Sequence, residues 1–118
     1  MESKSNKGKY SSVPHGQVYV ITNKVTGKKY VGQTTLDVWE RFDLHVNLAY
    51  GGEKSYAIGN AIYKHGAENF SLSVLASASS KEELDLLEIE WIERLNTFKG
   101  KGYNETPGRR RRLEIPYP

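Results

Sequence analysis

Two tyrosines, an arginine, a histidine and a glutamate hold most of the reactive chemistry in this sequence. Tyr19 and Tyr30 fall in two short β-prone runs, QVYVIT and KKYVG, separated by the turn-like NKVTG. A four-residue loop over 23–26 sets Thr22 against Gly27 and predicts Tyr19 directly opposite Tyr30, on one face of a hairpin. One reading of such a pair is an aromatic cross-strand contact that stabilises the hairpin. Arg41 and His45 are spaced i, i+4 on a helical pattern and project together. Glu88 lies inside an apolar helical stripe, four after Leu84 and three before Trp91. A carboxylate facing inward must be paired, hydrogen-bonded or bound to a cation, because burying it alone is very costly. A salt bridge to Arg41 would meet that need; so would a metal ion.

The elements that must position these residues read as strand, strand, helix, helix, strand, helix. After the hairpin, Thr34 or Thr35 is the expected cap of a helix from Leu36 to Tyr50, stopped by Gly51-Gly52. Its expected inward stripe is Trp39, Phe42, Val46 and Ala49, with Arg41 and His45 at the edge. A second helix is expected over Ser55 to His65, with Ile58, Ala61 and Ile62 inward. The run NFSLSVL then alternates, putting Phe70, Leu72 and Val74 on one face of a half-buried strand. The last helix opens with a capping box, Ser80 to Glu83, and runs to about Asn96 on a stripe of Leu84, Leu87, Trp91 and Leu95.

With 118 residues, the chain fits one domain with one modest core. The absence of cysteine excludes disulfides and every cysteine-based zinc site. No stretch approaches the roughly 18 apolar residues of a membrane span, so no membrane role is expected. The first residues lack the apolar segment of a secretory signal, and an intracellular location is expected. The net charge of +3 is unevenly spread. The arm at 1–15 carries Lys4, Lys7 and Lys9, and the Pro-rich tail at 107–118 carries Arg109, Arg110, Arg111 and Arg112. The body between is slightly acidic. Basic ends on a near-neutral body point to a polyanion such as nucleic acid, although such tails also aid solubility.

Taken in order, these residues resemble the GIY-YIG nuclease family, most of all the catalytic domains of its phage intron-encoded homing endonucleases. The first signature triplet stands as Gln17-Val18-Tyr19 and the second as Tyr30-Val31-Gly32. Gln17 departs from the usual glycine, with Gly16 one residue earlier. Arg41 and His45 match the first helix, Glu88 the metal-binding glutamate, and Asn104 in Gly102-Tyr103-Asn104 the late asparagine. The resemblance covers about residues 16 to 105. It implies an α+β fold, a small three-stranded, mainly antiparallel sheet flanked by three helices, over a domain at 16–106.

The resemblance also implies a divalent-metal-dependent DNA endonuclease with one Mg²⁺ (or Mn²⁺) per active site, bound by Glu88. A lone carboxylate leaves most of that ion's coordination to water and substrate, which suits Mg²⁺. Arg41 would offer its charged fork to phosphate oxygens. Tyr19 is the expected general base or water-orienting group, its phenol acidified by the cation and Arg41. His45 would relay the proton, Tyr30 would hold the water or Tyr19, and Asn104 would orient the substrate or the active-site backbone. Lys28, Lys29 and the four tail arginines are the expected contacts to double-stranded DNA. Cutting both strands would need a second copy or a separate DNA-binding partner. A structure-specific repair or recombination nuclease working with a partner, and a non-catalytic DNA-binding module on the same fold, are the alternatives.

Overall fold

The computed structural model describes residues 14–52 and 56–108. The expected arm and tail, with Arg109, Arg110, Arg111 and Arg112, lie almost wholly outside the described residues. Three strands, β1 (Gly16–Asn23), β2 (Lys29–Thr34) and β3 (Phe70–Ala78), form an antiparallel sheet in the order β2-β1-β3. Three helices flank it: α1 (Val38–Tyr50), α2 (Ala57–His65) and α3 (Lys81–Leu95).

The central strand is covered on both faces. Tyr19 and Ile21 point into a core shared with α1 and α2, while Val18 and Val20 point the other way, against α3. That is why VYVI reads as an unbroken apolar run rather than an alternation. Among the described residues, no helix is long and apolar enough to cross a membrane.

The hairpin register differs from the expectation by two residues. Thr22 pairs with Lys29, Ile21 with Tyr30, and Tyr19 with Gly32. Gly27 adopts a φ of 83° and so belongs to the turn, where its amide donates to Asn23 O at 2.7 Å. Asn23 closes the loop with its own side chain, Oδ1 accepting from Val25 N at 2.8 Å. Because the slip is two residues, every side chain keeps its face. Tyr19 and Tyr30 therefore remain neighbours, but diagonally, with ring centroids 6.4 Å apart.

Helix α1 begins at Val38, with Asp37 as its cap accepting from Trp39 N and Glu40 N. Thr34 spends its hydroxyl on a turn instead, accepting from Leu36 N at 2.9 Å. Phe42, Val46 and Ala49 face inward as expected, and Val38 and His45 join them. Trp39 is left 59% exposed, in edge contact with Phe42. In β3 the alternation holds only as far as Leu72. Leu75 is an extra residue between the pairs Val18–Ala76 and Tyr19–Val74. This bulge turns Leu75 toward the α3 core and leaves Val74 exposed.

Candidate active site

The free edge of β2 is held by an amide. Asn104 Oδ1 accepts from Val31 N and Asn104 Nδ2 donates to Val31 O, both at 2.8 Å. One side chain thus satisfies a residue's donor and acceptor, as a neighbouring strand would. Asn104 is itself anchored by its backbone N–H on Thr97 O, and Tyr103 N donates to Lys29 O. This clamp fixes Val31, and with it Tyr30 and Gly32 on either side. Of the two roles expected for Asn104, the geometry supports orientation of the backbone.

Beside this edge opens a cleft of about 380 Å³ whose polar wall is formed by Tyr30, Arg41, His45, Glu88 and Asn104. Leu48, Tyr56 and Ile58 close an apolar side. Four of the expected catalytic residues, from β2, α1 and α3, therefore meet in one concave site together with the clamp.

Tyr19 differs. It is 0% exposed and lies behind the cleft wall, its Oη 3.0 Å from His45 Nε2. The ring of Tyr30 packs edge-on to His45 at a centroid distance of 5.3 Å. Gly32 makes this stacking feasible. A Cβ there would collide with Tyr19 Oη and Cζ and with the Tyr30 ring. The phenol that reaches the cleft is that of Tyr30, so the expectation that Tyr19 meets the attacking water directly does not hold for this arrangement.

The chain's own groups act on the Tyr19 phenol in opposite directions. Burial, reinforced by Tyr30, pushes its phenol well above the ordinary tyrosine range. The hydrogen-bonded Arg41 guanidinium pulls the other way but is outweighed. His45 is lowered to about 4, by burial and then by the positive charge of Arg41. At neutral pH the pair is a neutral phenol beside a neutral imidazole. Arg41 can only donate to Tyr19 Oη, which leaves the phenol its own proton and a second acceptor site for the contact with His45 Nε2.

Glu88 is buried on α3, 7% exposed, yet it faces the cleft. Its Oε1 accepts from Gln33 Nε2 at 2.9 Å, and the same nitrogen reaches Asp85 Oδ1 at 2.9 Å. Lys81 Nζ completes the set on Asp85 Oδ1 at 2.7 Å. Sequence reasoning passed over Gln33 and Asp85, although two signals were present. Asp85 is three residues before Glu88 on the same helical face, and Gln33 alternates onto the face of Val31, the face that α3 covers.

No group of three or more His, Asp or Glu side chains among the described residues could hold a metal ion. Glu88, beside Arg41 on the cleft wall, fits a hydrated Mg²⁺ whose other ligands are water and DNA; the second carboxylate of the cleft, Glu105, accepts from Ala57 N. The site does not fit an ion that needs a protein cage. Of the expected DNA contacts, Lys28 is exposed at the hairpin loop, 5.9 Å from the Tyr103 ring centroid, and Lys29 is half-buried.

Comparison with known proteins matches this geometry. The chain is 37% identical over 92 residues to a candidate endonuclease, segE, of Enterobacteria phage T4. That alignment takes in 77% of this chain but 40% of the relative, so the chain spans about two fifths of the length of that protein. Among solved structures it is similar to the catalytic domain of the homing endonuclease I-TevI, with a TM-score of 0.67 and 29% identity. The match covers 77% of this chain and 98% of that one. A mutant of the catalytic domain of intron endonuclease I-TevI superposes with a TM-score of 0.69 at 29% identity, covering 78% and 94% of the two chains. The family model of the GIY-YIG catalytic domain matches residues 15–104, which include the whole cleft wall as far as Asn104. With the hairpin tyrosines, the arginine helix, the inward glutamate and the asparagine clamp all in that span, the chain belongs to the GIY-YIG nuclease family.

Proposed function

We propose that this chain is a divalent-metal-dependent DNA endonuclease that hydrolyses one phosphodiester per cleft. The reading rests on one observation: Tyr30, Arg41, His45 and Glu88 converge on a single cleft although they come from three different elements. Glu88 would hold the ion, which when bound would polarise the scissile phosphate and offset charge on the leaving 3′ oxygen. Arg41 supplies a permanent positive fork on the same wall for the phosphate oxygens. Tyr30 presents the cleft phenol and orients the attacking water. Tyr19 holds Arg41 and His45 in register from behind, and a neutral His45 is the nearby acceptor for a proton leaving that network.

A single cleft with Glu88 as its metal ligand implies cleavage of one strand per encounter. A second copy, or a partner that reorients the domain, then cuts the antiparallel strand.

Supercoiled plasmid tests the reading. With Mg²⁺ it should pass through an accumulating nicked circle, and chelation should stop the reaction. Glu88→Gln should keep the fold and DNA binding while cleavage falls by more than about a hundredfold. Cleavage that persists in chelator, or a Glu88→Gln variant close to wild type, would overturn the proposal.

A further inference from the structure

Glu88 depends on a neighbour for the position of its carboxylate, and that neighbour is Gln33. The side chain of Gln33 leaves β2 on the α3 side, immediately after the Tyr30-Val31-Gly32 triplet. Its single nitrogen Nε2 has two protons to give. One is directed at Glu88 Oε1 and one at Asp85 Oδ1, both at 2.9 Å. An amide donor between two carboxylates one helical turn apart has a single useful orientation. Asp85 is in turn tethered by Lys81, whose side chain is 45% exposed while Asp85 is buried. The order of hydrogen bonds therefore runs from the surface inward: Lys81 to Asp85, and Gln33 from Asp85 across to Glu88.

We infer that Gln33 is a positioning residue for the metal-binding carboxylate. It holds Oε1 of Glu88, with Asp85 as the anchor that fixes the Gln33 amide. This rests on the reading of Glu88 as the metal ligand. Neutral donors suit the task. An amide hydrogen bond orients a carboxylate without cancelling its charge, whereas a lysine or arginine in the same place would compete with a cation for it. Groups that orient a metal ligand from outside the coordination sphere typically alter metal affinity or activity by about 10- to 100-fold when removed.

The test uses the full chain and two variants. Gln33→Met keeps length and volume but has no donor. Asp85→Asn keeps an oxygen for Gln33 while removing a negative charge. Mn²⁺ affinity is measured directly by electron paramagnetic resonance of the free ion. The Mg²⁺ concentration giving half-maximal nicking is measured beside it, with DNA binding in chelator and the Tm as controls.

Gln33→Met should weaken Mn²⁺ binding and raise the Mg²⁺ midpoint by about tenfold or more, while metal-free DNA affinity stays at the wild-type value. Asp85→Asn should move the midpoint much less. A larger shift in Asp85→Asn than in Gln33→Met would show that the negative charge of Asp85, rather than the Gln33 hydrogen bond, dominates the affinity, and would overturn the inference. So would a Gln33→Met variant with wild-type Mn²⁺ affinity. If the wild type itself neither binds Mn²⁺ nor nicks DNA, it is the proposed metal-dependent function that fails.

Discussion

Tyr19 Oη and His45 Nε2 are 3.0 Å apart in a site where both side chains are buried, one on the central strand and one on α1. The contact joins the first signature tyrosine to the core-facing side of the arginine helix. His45 is costly to protonate there, because the added charge would be buried and would lie beside Arg41.

That cost predicts a pH dependence of stability. The His45 pKa is lowered to about 4 in the fold, against an ordinary value of 6.5. Between those values the unfolded chain binds a proton that the folded chain refuses, so stability rises with pH through this window. On acidification from about pH 6.5 to 4 the His45 contribution should fall by on the order of 3 kcal/mol, then level off. Urea titrations across the window measure it. His45→Gln should flatten this part of the profile, and an unchanged slope in that variant would assign the dependence to other groups.

Gly32 is the position where the tyrosine stack is most sensitive. Its missing Cβ leaves the space that Tyr19 Oη and the edge of Tyr30 occupy. Gly32→Ala should displace both phenols, because Tyr19 is backed by His45 and cannot retreat without losing that hydrogen bond. A destabilisation of about 1–3 kcal/mol is expected from overpacking. Nicking should fall further than the folded fraction explains. Chemical denaturation and plasmid assays on the same preparation separate the two effects.

The sequence revealed the elements and the cleft-forming residues because both rest on local patterns. The Ser80 cap forms as expected, its Oγ accepting from Glu83 N at 3.1 Å. The return bond goes one residue further back, however, from Ser79 to the Glu83 carboxylate. What failed were the turn chemistry of the hairpin and features decided by tertiary packing. The hairpin slip depends on Gly27 and Asn23 sharing a turn, and the bulge at Leu75 depends on two cores competing for one strand. The burial of Tyr19 behind Tyr30 follows from the stacking of α1 on the sheet. Gln33 and Asp85 look like surface polar residues until α3 is laid over β2. The membership of Arg41, His45 and Glu88 in one site was legible only through their resemblance to a family, since nothing local links α1 to α3.

Asn104 should prove structural and catalytic at once. Asn104→Leu would leave Val31 N–H and C=O without their partner at a buried edge, and an unsatisfied buried group costs about 1–3 kcal/mol. The β2 edge should loosen, and Tyr30 with it. Amide hydrogen exchange at Val31 should speed up relative to the rest of the sheet, and nicking should fall. Protection of Val31 equal to that of wild type would show that the edge holds without the clamp.

Two loops meet at Tyr103, which borders the cleft, and their charge predicts how DNA approaches it. Lys24, Lys28 and Lys29 belong to the hairpin, and Lys99 and Lys101 to the loop after α3; neither segment, 23–29 or 96–104, contains an aspartate or glutamate. Tyr103 stitches them together. Its amide donates to Lys29 O, its hydroxyl accepts from Asn23 Nδ2 at 3.0 Å, and its ring lies on the cleft. Phosphates running past Tyr103 would meet the exposed ammonium groups of Lys28, Lys99 and Lys101. Each neutralised phosphate adds about 0.9 to the slope of log K against log salt. The variant Lys28→Gln, Lys99→Gln, Lys101→Gln should therefore flatten that slope by roughly 2 to 3 units, with the Mg²⁺ requirement for nicking unchanged. Lys64→Gln, on the last turn of α2, serves as the control and should leave the slope as it is. A triple variant with the wild-type slope would show that the duplex does not cross these loops.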